Sequence, residues 1–260
     1  MDSQNGAWGR IMFSDMRSAQ FVWFTTSDVS LDHEAFFKEL SGMGSDVTQR
    51  LKPPQAPVPM TIISGVADDI QYRLQSQPGR FDFFAAPVDM PPSDPTVPML
   101  RGVKNSETII KRVLLAAEKF AEQLNTVYRL AFVTQYFKLC KDEDEARSHY
   151  TKLIASTLPL VGSRELAYQI SSTKDVDGRT LNRLIRWQTE NVQSVFFPMQ
   201  TGFASYTMPV PRQENYLTYM IDTNSMPTNL ALLPKQQIEI WGSLIKENNR
   251  LWKISTVEEM

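Results

Sequence analysis

Between Asn105 and Cys140 the spacing of apolar residues changes period, and the rest of the chain can be organised around that change. Ile109, Ile110, Val113, Leu114, Ala117, Phe120, Ala121 and Leu124 recur at i, i+3, i+4 and i+7, the stripe of a helix with one covered face. Lys111, Arg112, Glu118, Lys119 and Glu122 fall on the other side. Ser106 is the expected N-cap, with Glu107 placed to suit the helix dipole, and Asn125-Thr126 closes the helix. From Val127 to Phe137 the residues alternate and are dense in aromatic and β-branched types, which predicts a strand. Both its faces are largely apolar, as befits a central strand. A single helix running on through Phe137 is the competing reading.

The same reading extends along the chain. Phe21-Val22-Trp23-Phe24 predicts a strand, and Asp32 or Ser30 can cap a short helix through Leu40 that Gly42 and Gly44 stop. Residues 52–59 form a proline-rich extended connector. Met60–Val66, Ile70–Gln75 and Phe81–Ala85 read as a meander, turning at Asp68-Asp69 and at a type II Pro78-Gly79 turn. Five prolines lie between Pro87 and Pro98. That segment is either a boundary between two halves, 1–98 and 99–260, or a stiff surface loop within one domain.

Beyond Cys140, the acidic run Asp142–Glu145 suits a helix N-terminus, with Ala146, Tyr150, Leu153 and Ile154 on its covered face. Asp175-Val176-Asp177-Gly178 lacks the EF-hand spacing, since Arg179 and Thr180 occupy its fifth and sixth positions. An Asp-Gly hairpin turn fits instead. Thr180–Val195 is read as a strand, although its apolar residues also fit a helical face. Val195–Tyr206 and Tyr216–Thr223 are further strands. Pro234 opens a last helix whose stripe is Ile238, Trp241, Leu244, Ile245, Asn248, Leu251 and Trp252. The expected architecture is α+β: two antiparallel-sheet-plus-helix halves joined by the proline-rich connector.

Composition narrows function mainly by exclusion. The chain has 260 residues, 42% hydrophobic and 22% charged, with a net charge of −2. No global field favours nucleic acid, although a local basic patch remains open. One cysteine, Cys140, allows no internal disulfide and reads as a small buried hydrophobe. The N-terminal residues carry no signal-like pattern and no apolar run matches a membrane span, so a cytoplasmic protein is expected. His33 and His149 have no metal-spaced partner, and no nucleophile elbow, P-loop or dinucleotide fingerprint occurs. No cofactor, metal site or catalytic set is therefore assigned. Asp68, Asp69, Asp82 and Asp222 lie in or beside strands and keep a metal-dependent nuclease as an alternative.

The leading surface candidate is Arg179, Arg183, Arg186 and Trp187. On a strand, Arg183 and Trp187 share a face and Arg186 points away. Such a set can contact phosphates and stack a base, or anchor a protein partner. A core tryptophan flanked by solvated arginines explains the same residues.

The strand Tyr128–Val133 after a long helix resembles a widespread family of uncharacterised bacterial α+β proteins of about this length. The pattern Tyr216–Thr223 followed by the helix with Ile238, Trp241, Leu244 and Ile245 is similar, as is Tyr72–Ser76 with its Pro-Gly turn. The resemblance implies an α+β fold and no set activity. It also implies accessory proteins, some beside mobile-element or phage-defence genes. The expected function is a non-enzymatic protein-binding adaptor subunit of a bacterial complex, in phage defence or toxin neutralisation. A protein partner or a homo-oligomer is expected with it, and a nucleic-acid-binding module is the third reading.

Overall fold

The computed structural model describes residues 13–260 except 14, 27, 28, 30, 53, 56, 57, 89–96, 156–159, 161, 164, 197–209 and 255. Its elements run β1 (Asp15–Thr25), α1 (His33–Ser41), β2 (Val47–Leu51), β3 (Met60–Ala67), β4 (Ile70–Gln77), β5 (Arg80–Pro87), α2 (Ser106–Phe120), β6 (Val127–Cys140), α3 (Glu143–Leu153), β7 (Ala167–Val176), β8 (Arg179–Phe196), β9 (Val210–Ser225) and α4 (Pro234–Leu251). The protein is α+β. Among the described residues nine strands join one antiparallel sheet in the order β2-β3-β4-β5-β1-β6-β9-β8-β7.

That sheet corrects the expectation of two sheets. β1 pairs with β5 on one side and with β6 on the other, where Phe21 lies opposite Phe132 and Trp23 opposite Leu130. Unpaired, these two strands would each leave an edge of open backbone groups, and pairing them removes both edges. The segment expected to separate two halves lies mostly outside the described residues. Its flanks, Val88 and residues 97–103, lie against the sheet.

Local chemistry explains most boundaries. Asp32 caps α1, accepting from the Glu34 and Ala35 N–H groups, and Asp142 caps α3, accepting from Glu145 N–H. Asp177 and Gly178 both take positive φ, 50° and 76°, as an Asp-Gly type I′ hairpin turn requires. The α2 cap differs from expectation. Asn105, in the left-handed region at φ 57°, occupies the cap without a side-chain bond, and Ser106 is already helical. The helical reading through Phe137 gives way to a strand, β6. β8 is likewise a strand throughout. The strand expected over Val195–Tyr206 falls largely outside the described residues. β2 and β7, the two sheet edges, have few apolar residues and went unread in the sequence.

The described helices α1–α4 cover one face. Their buried side chains share a single core with Phe21, Trp23, Phe83, Leu130, Phe132, Ile185, Trp187 and Ile221. Trp23 meets Phe36 of α1 and Trp241 of α4 edge-on, with ring centroids at 5.6 and 5.1 Å. Helix α4 also carries a buried polar stripe. Asn248 accepts from Thr134 Oγ1 at 2.9 Å, Tyr219 donates to the Leu251 carbonyl, and Gln237 donates to the Leu124 carbonyl. Glu247 is clasped by Arg183 from β8 at 3.1 Å and by Arg250 at 2.7 Å. Burial alone would raise the Glu247 pKa, but hydrogen bonds from Arg250 and Arg183 outweigh it and hold the carboxyl below its ordinary value.

Two outcomes follow for α4. Arg183→Met leaves a buried carboxylate with half its clasp and should cost about 3 kcal/mol in urea denaturation. Because the folded pKa of Glu247 is depressed, its contribution is complete above the ordinary carboxylate pKa and is lost as pH falls through the folded value. Glu247→Gln should therefore flatten the acid limb of the Tm–pH curve.

Candidate functional site

Period-2 alternation sends every second strand residue to the face that the helices do not cover. On this open face polar and charged side chains mix with apolar ones such as Val22, Val133 and Met220, and aromatic rings lie under guanidinium groups. Arg73 sits 4.5 Å over Phe84, and Arg80 and Arg129 flank Phe24 at 5.2 and 5.1 Å. Phe137 and Tyr216 pack edge-on at 5.8 Å. Both are buried although no helix lies over them.

The segment 97–103 runs across one end of the open face beside these rings. Met99 N–H donates to Glu214 Oε2 at 2.8 Å, Leu100 N–H to the Tyr216 hydroxyl at 3.0 Å, and Arg212 to the Val97 carbonyl. At its other end Val103 N–H donates to the Met16 carbonyl of β1, and Arg101 donates to the Val88 carbonyl at 2.7 Å. Burial would raise the Glu214 pKa, but bonds from Tyr216, Met99 N–H and Arg212 win and hold it low. The Tyr216 phenol is pushed up, by burial first and by Glu214 second. Residues 97–103 are thus fastened as a strap rather than loosely laid.

Between strap and sheet lies a cleft of about 590 Å³. Its floor spans β4, β5, β1, β6, β9 and β8 through Gln71, Ala86, Ser18, Gln135, Thr218 and Gln188, and Met99, Leu100 and Arg101 form the strap side. A β-bulge shapes it. Met16 lies opposite Tyr136 and Ser18 opposite Gln135, leaving Arg17 as the extra residue. A bulge re-aims the side chain it carries, and Arg17 reaches across β6 and β9 to Glu190 of β8, with Nη1 at 3.0 and 3.3 Å from the two carboxylate oxygens. The intervening gap is three strand spacings, roughly 14 Å. Arg186 of β8 also lines the cleft, and it is exposed with no ion pair among the described residues.

Arg17, Arg101, Arg186 and Glu190 are the charged residues among the described lining, and Glu190 is held by Arg17. Among the described residues no histidine, cysteine, aspartate or lysine lines the cleft, and no base lies beside Ser18 or Thr218. Guanidinium and apolar groups in one recess can hold an oxyanion and an apolar group together.

The sequence-predicted residues separate. Arg183 and Trp187 do share a face, as expected, but it is the covered one. Trp187 is wholly buried, stacked on Tyr219 with centroids at 5.2 Å, and Arg183 is 5% exposed. Neither offers a surface to a base or a partner. Arg179 pairs with Glu239 at the helix side, and only Arg186 reaches the open face. Arg17, Arg101, Gln135 and Glu190 were not singled out from the sequence. The available signal was their polar register on strands whose other face is apolar. Arg101, on a loop, gave none.

The carboxylates considered for metal chemistry do not converge. Asp82 lies on the sheet face opposite Phe81 and Phe83 and is 2% exposed. Arg80 clasps it at 2.7 and 2.8 Å, and Gln20 donates to it at 2.7 Å. Asp222, on β9, is three strand spacings away, roughly 14 Å, and burial raises its pKa. Asp68 and Asp69 form a turn with positive φ. Among the described residues no cluster of three metal-ligating side chains occurs. Cys140 is buried and its thiol is pushed up to about 11, first by burial and then by Glu145, so it is no thiolate at neutral pH. His33 bonds Ser76 and His149 bonds Glu145, away from the cleft. Among the described residues no helix is long and apolar enough to cross a membrane.

Asp82→Ala strips Arg80 and Gln20 of their shared acceptor, and thermal denaturation should show a loss of about 2 kcal/mol. Asp222→Asn should raise Tm at neutral pH. Its carboxylate is the disfavoured form there, and the gain should fade as pH falls and the acid is protonated.

Comparison of the chain with protein-family models, with curated proteins and with solved structures finds no match.

Proposed function

We propose that the chain is a non-enzymatic accessory subunit that binds a protein partner on the open face of its sheet. The observation that carries this reading is the cleft under the strap. It is a recess of about 590 Å³ lined, among the described residues, by arginine and amide donors and by methionine and leucine, with its one described carboxylate, Glu190, held by Arg17. Arginine and apolar side chains around a shaped recess suit a protein surface better than a reaction site.

The order of elements supports an adaptor built as two halves. β1, α1, three of the strands β2–β5, and α2 repeat as β6, α3, β7–β9 and α4. Pairing runs outward from the central β1–β6 pair as β5, β4, β3 on one side and β9, β8, β7 on the other. Both halves contribute strands to the cleft, so the chain presents a composite surface. The resemblance noted in the sequence directs the search for the partner to bacterial defence and toxin–antitoxin complexes.

Affinity purification of the tagged full chain from its native host, with mass spectrometry and a nucleic-acid stain, tests the reading. A stoichiometric protein partner is expected, absent when Arg73→Glu and Arg186→Glu are combined on the open face. A solitary protein overturns the reading. Elution with nucleic acid released by salt would replace it with a nucleic-acid-binding module.

A further inference from the structure

We infer that β7 is a dimerisation edge, and that its occupant is the β7 of a second copy of this chain, paired antiparallel about a two-fold axis at Ser171. This contact is separate from the cleft and does not depend on the adaptor reading.

β7 is the outer strand of the sheet beyond β8. Its ten residues, Ala167–Val176, pair with β8 along one side only. The Leu166 carbonyl accepts from Thr189 N–H, and Leu166 N–H donates to Thr189 Oγ1, so Leu166 directs its backbone toward β8. Antiparallel ladders alternate, which turns the N–H and C=O groups of Ala167, Gln169, Ser171, Thr173 and Asp175 outward. None of these groups has a backbone partner among the described residues.

An open ladder of this length invites another strand, and natural sheets blunt such edges with proline, lysine or shortness. The opposite edge is blunted. β2 has five residues, carries Arg50 and is followed by Lys52, Pro53 and Pro54. β7 is twice as long, has no proline and carries one basic residue, Lys174. The helices also stop short of it. On the helix side Tyr168 is 36% exposed although stacked on Trp187, and Ile170 is half-buried.

The order of residues along β7 selects a second copy. An axis through Ser171 sets Ile170 opposite Ser172 of the second copy, Gln169 opposite Thr173, Tyr168 opposite Lys174 and Ala167 opposite Asp175. Tyr168 then receives an ammonium over its ring, twice by symmetry, and the two Ile170 side chains meet diagonally across the axis. Lys174 and Asp175 sit at one end of the strand. The two-fold carries them to opposite ends of the interface, so no like charges face each other within β7. A parallel in-register stack would instead set lysine on lysine and aspartate on aspartate. The two-fold runs perpendicular to the sheet, so the helices of both copies fall on one side, and Tyr168 and Ile170 join a shared covered face. Such a contact is isologous and closes, leaving the blunted β2 edges at either rim.

The test is sedimentation velocity on the purified full chain. Wild type is expected to sediment as a dimer in the micromolar range. Ser171→Pro removes one outward N–H from each copy and spares the ladder to β8. It should raise the dimer dissociation constant about tenfold. Ser171→Lys and Ser171→Glu each set like charges together at the axis and should each weaken the dimer, whereas a mixture of the two should restore it as a heterodimer. Restoration also shows that both variants fold. Gln49→Lys, on the other edge, should leave the dimer unchanged. A monomeric wild type, a dimer indifferent to Ser171→Pro, or a mixture no tighter than either charged variant alone would each overturn the inference. A monomeric wild type whose capture of a host protein is lost in Ser171→Pro would overturn it too, and would assign the edge to a strand of that protein.

Discussion

The pairing of β1 with β6 is the constraint on which the rest of the structure depends. The covered face of each strand is apolar, through Ala19, Phe21 and Trp23 in β1 and Leu130 and Phe132 in β6. Apart, they would be two sheet edges of the kind that aggregates. Joined, they place Phe21 against Phe132 with ring centroids at 4.7 Å, directly under Trp241. The register of this one ladder then fixes which residues of β5 and β9 can face one another across the sheet. Asp82 lies opposite Val22 and Asp222 opposite Val133, one strand in from either side of the same axis. The two carboxylates are held apart by the topology itself.

The same pairing decides what each face does. With all helices on one side, that side becomes core and its few polar groups must be satisfied internally. Helix α4 shows how. Glu247, Gln237 and Asn248 Oδ1 each find a partner on the sheet or just before β6, whereas Asn248 Nδ2 and Trp241 Nε1 have none among the described residues, and breaking any such pair leaves a desolvated group behind. A buried ion pair of this kind adds little net stability compared with apolar packing but fixes position, here the seating of α4 over β8 and β9. The other face, free of that demand, can carry arginines and amides. The strap is fastened to it at Tyr216, whose hydroxyl accepts from Leu100 N–H.

Much of the fold was legible in the sequence because it is written locally. The change of period at Val127, the caps Asp32 and Asp142, the Asp177-Gly178 turn and Pro234 at the start of α4 all act within a few residues. Their chemistry admits few other readings. What was not legible depends on distant pairing. Alternation showed that Arg183 and Trp187 share a face, but not that this face lies under α4, because coverage is set by a helix some fifty residues later. The edge strands β2 and β7 bury little and so left almost no apolar signal. The cleft was hidden for a further reason. It draws on β1, β6, β8 and β9, which adjoin only because β1 meets β6, and on a bulge at Arg17 that a strand pattern does not reveal.

The described strands form one sheet with a helix-covered face and an open face, and the surface proposed to bind a partner exists only if that sheet is continuous. Native-state hydrogen exchange tests this most directly. The account expects amides of β1 and β6 to be the slowest in the protein. It also expects the inner amides of β4–β5 and of β8–β9 to open with them in one global step of equal free energy and denaturant dependence. Two separate opening steps, one for β1–β5 and one for β6–β9, with β1 and β6 amides exchanging faster than either, would contradict it.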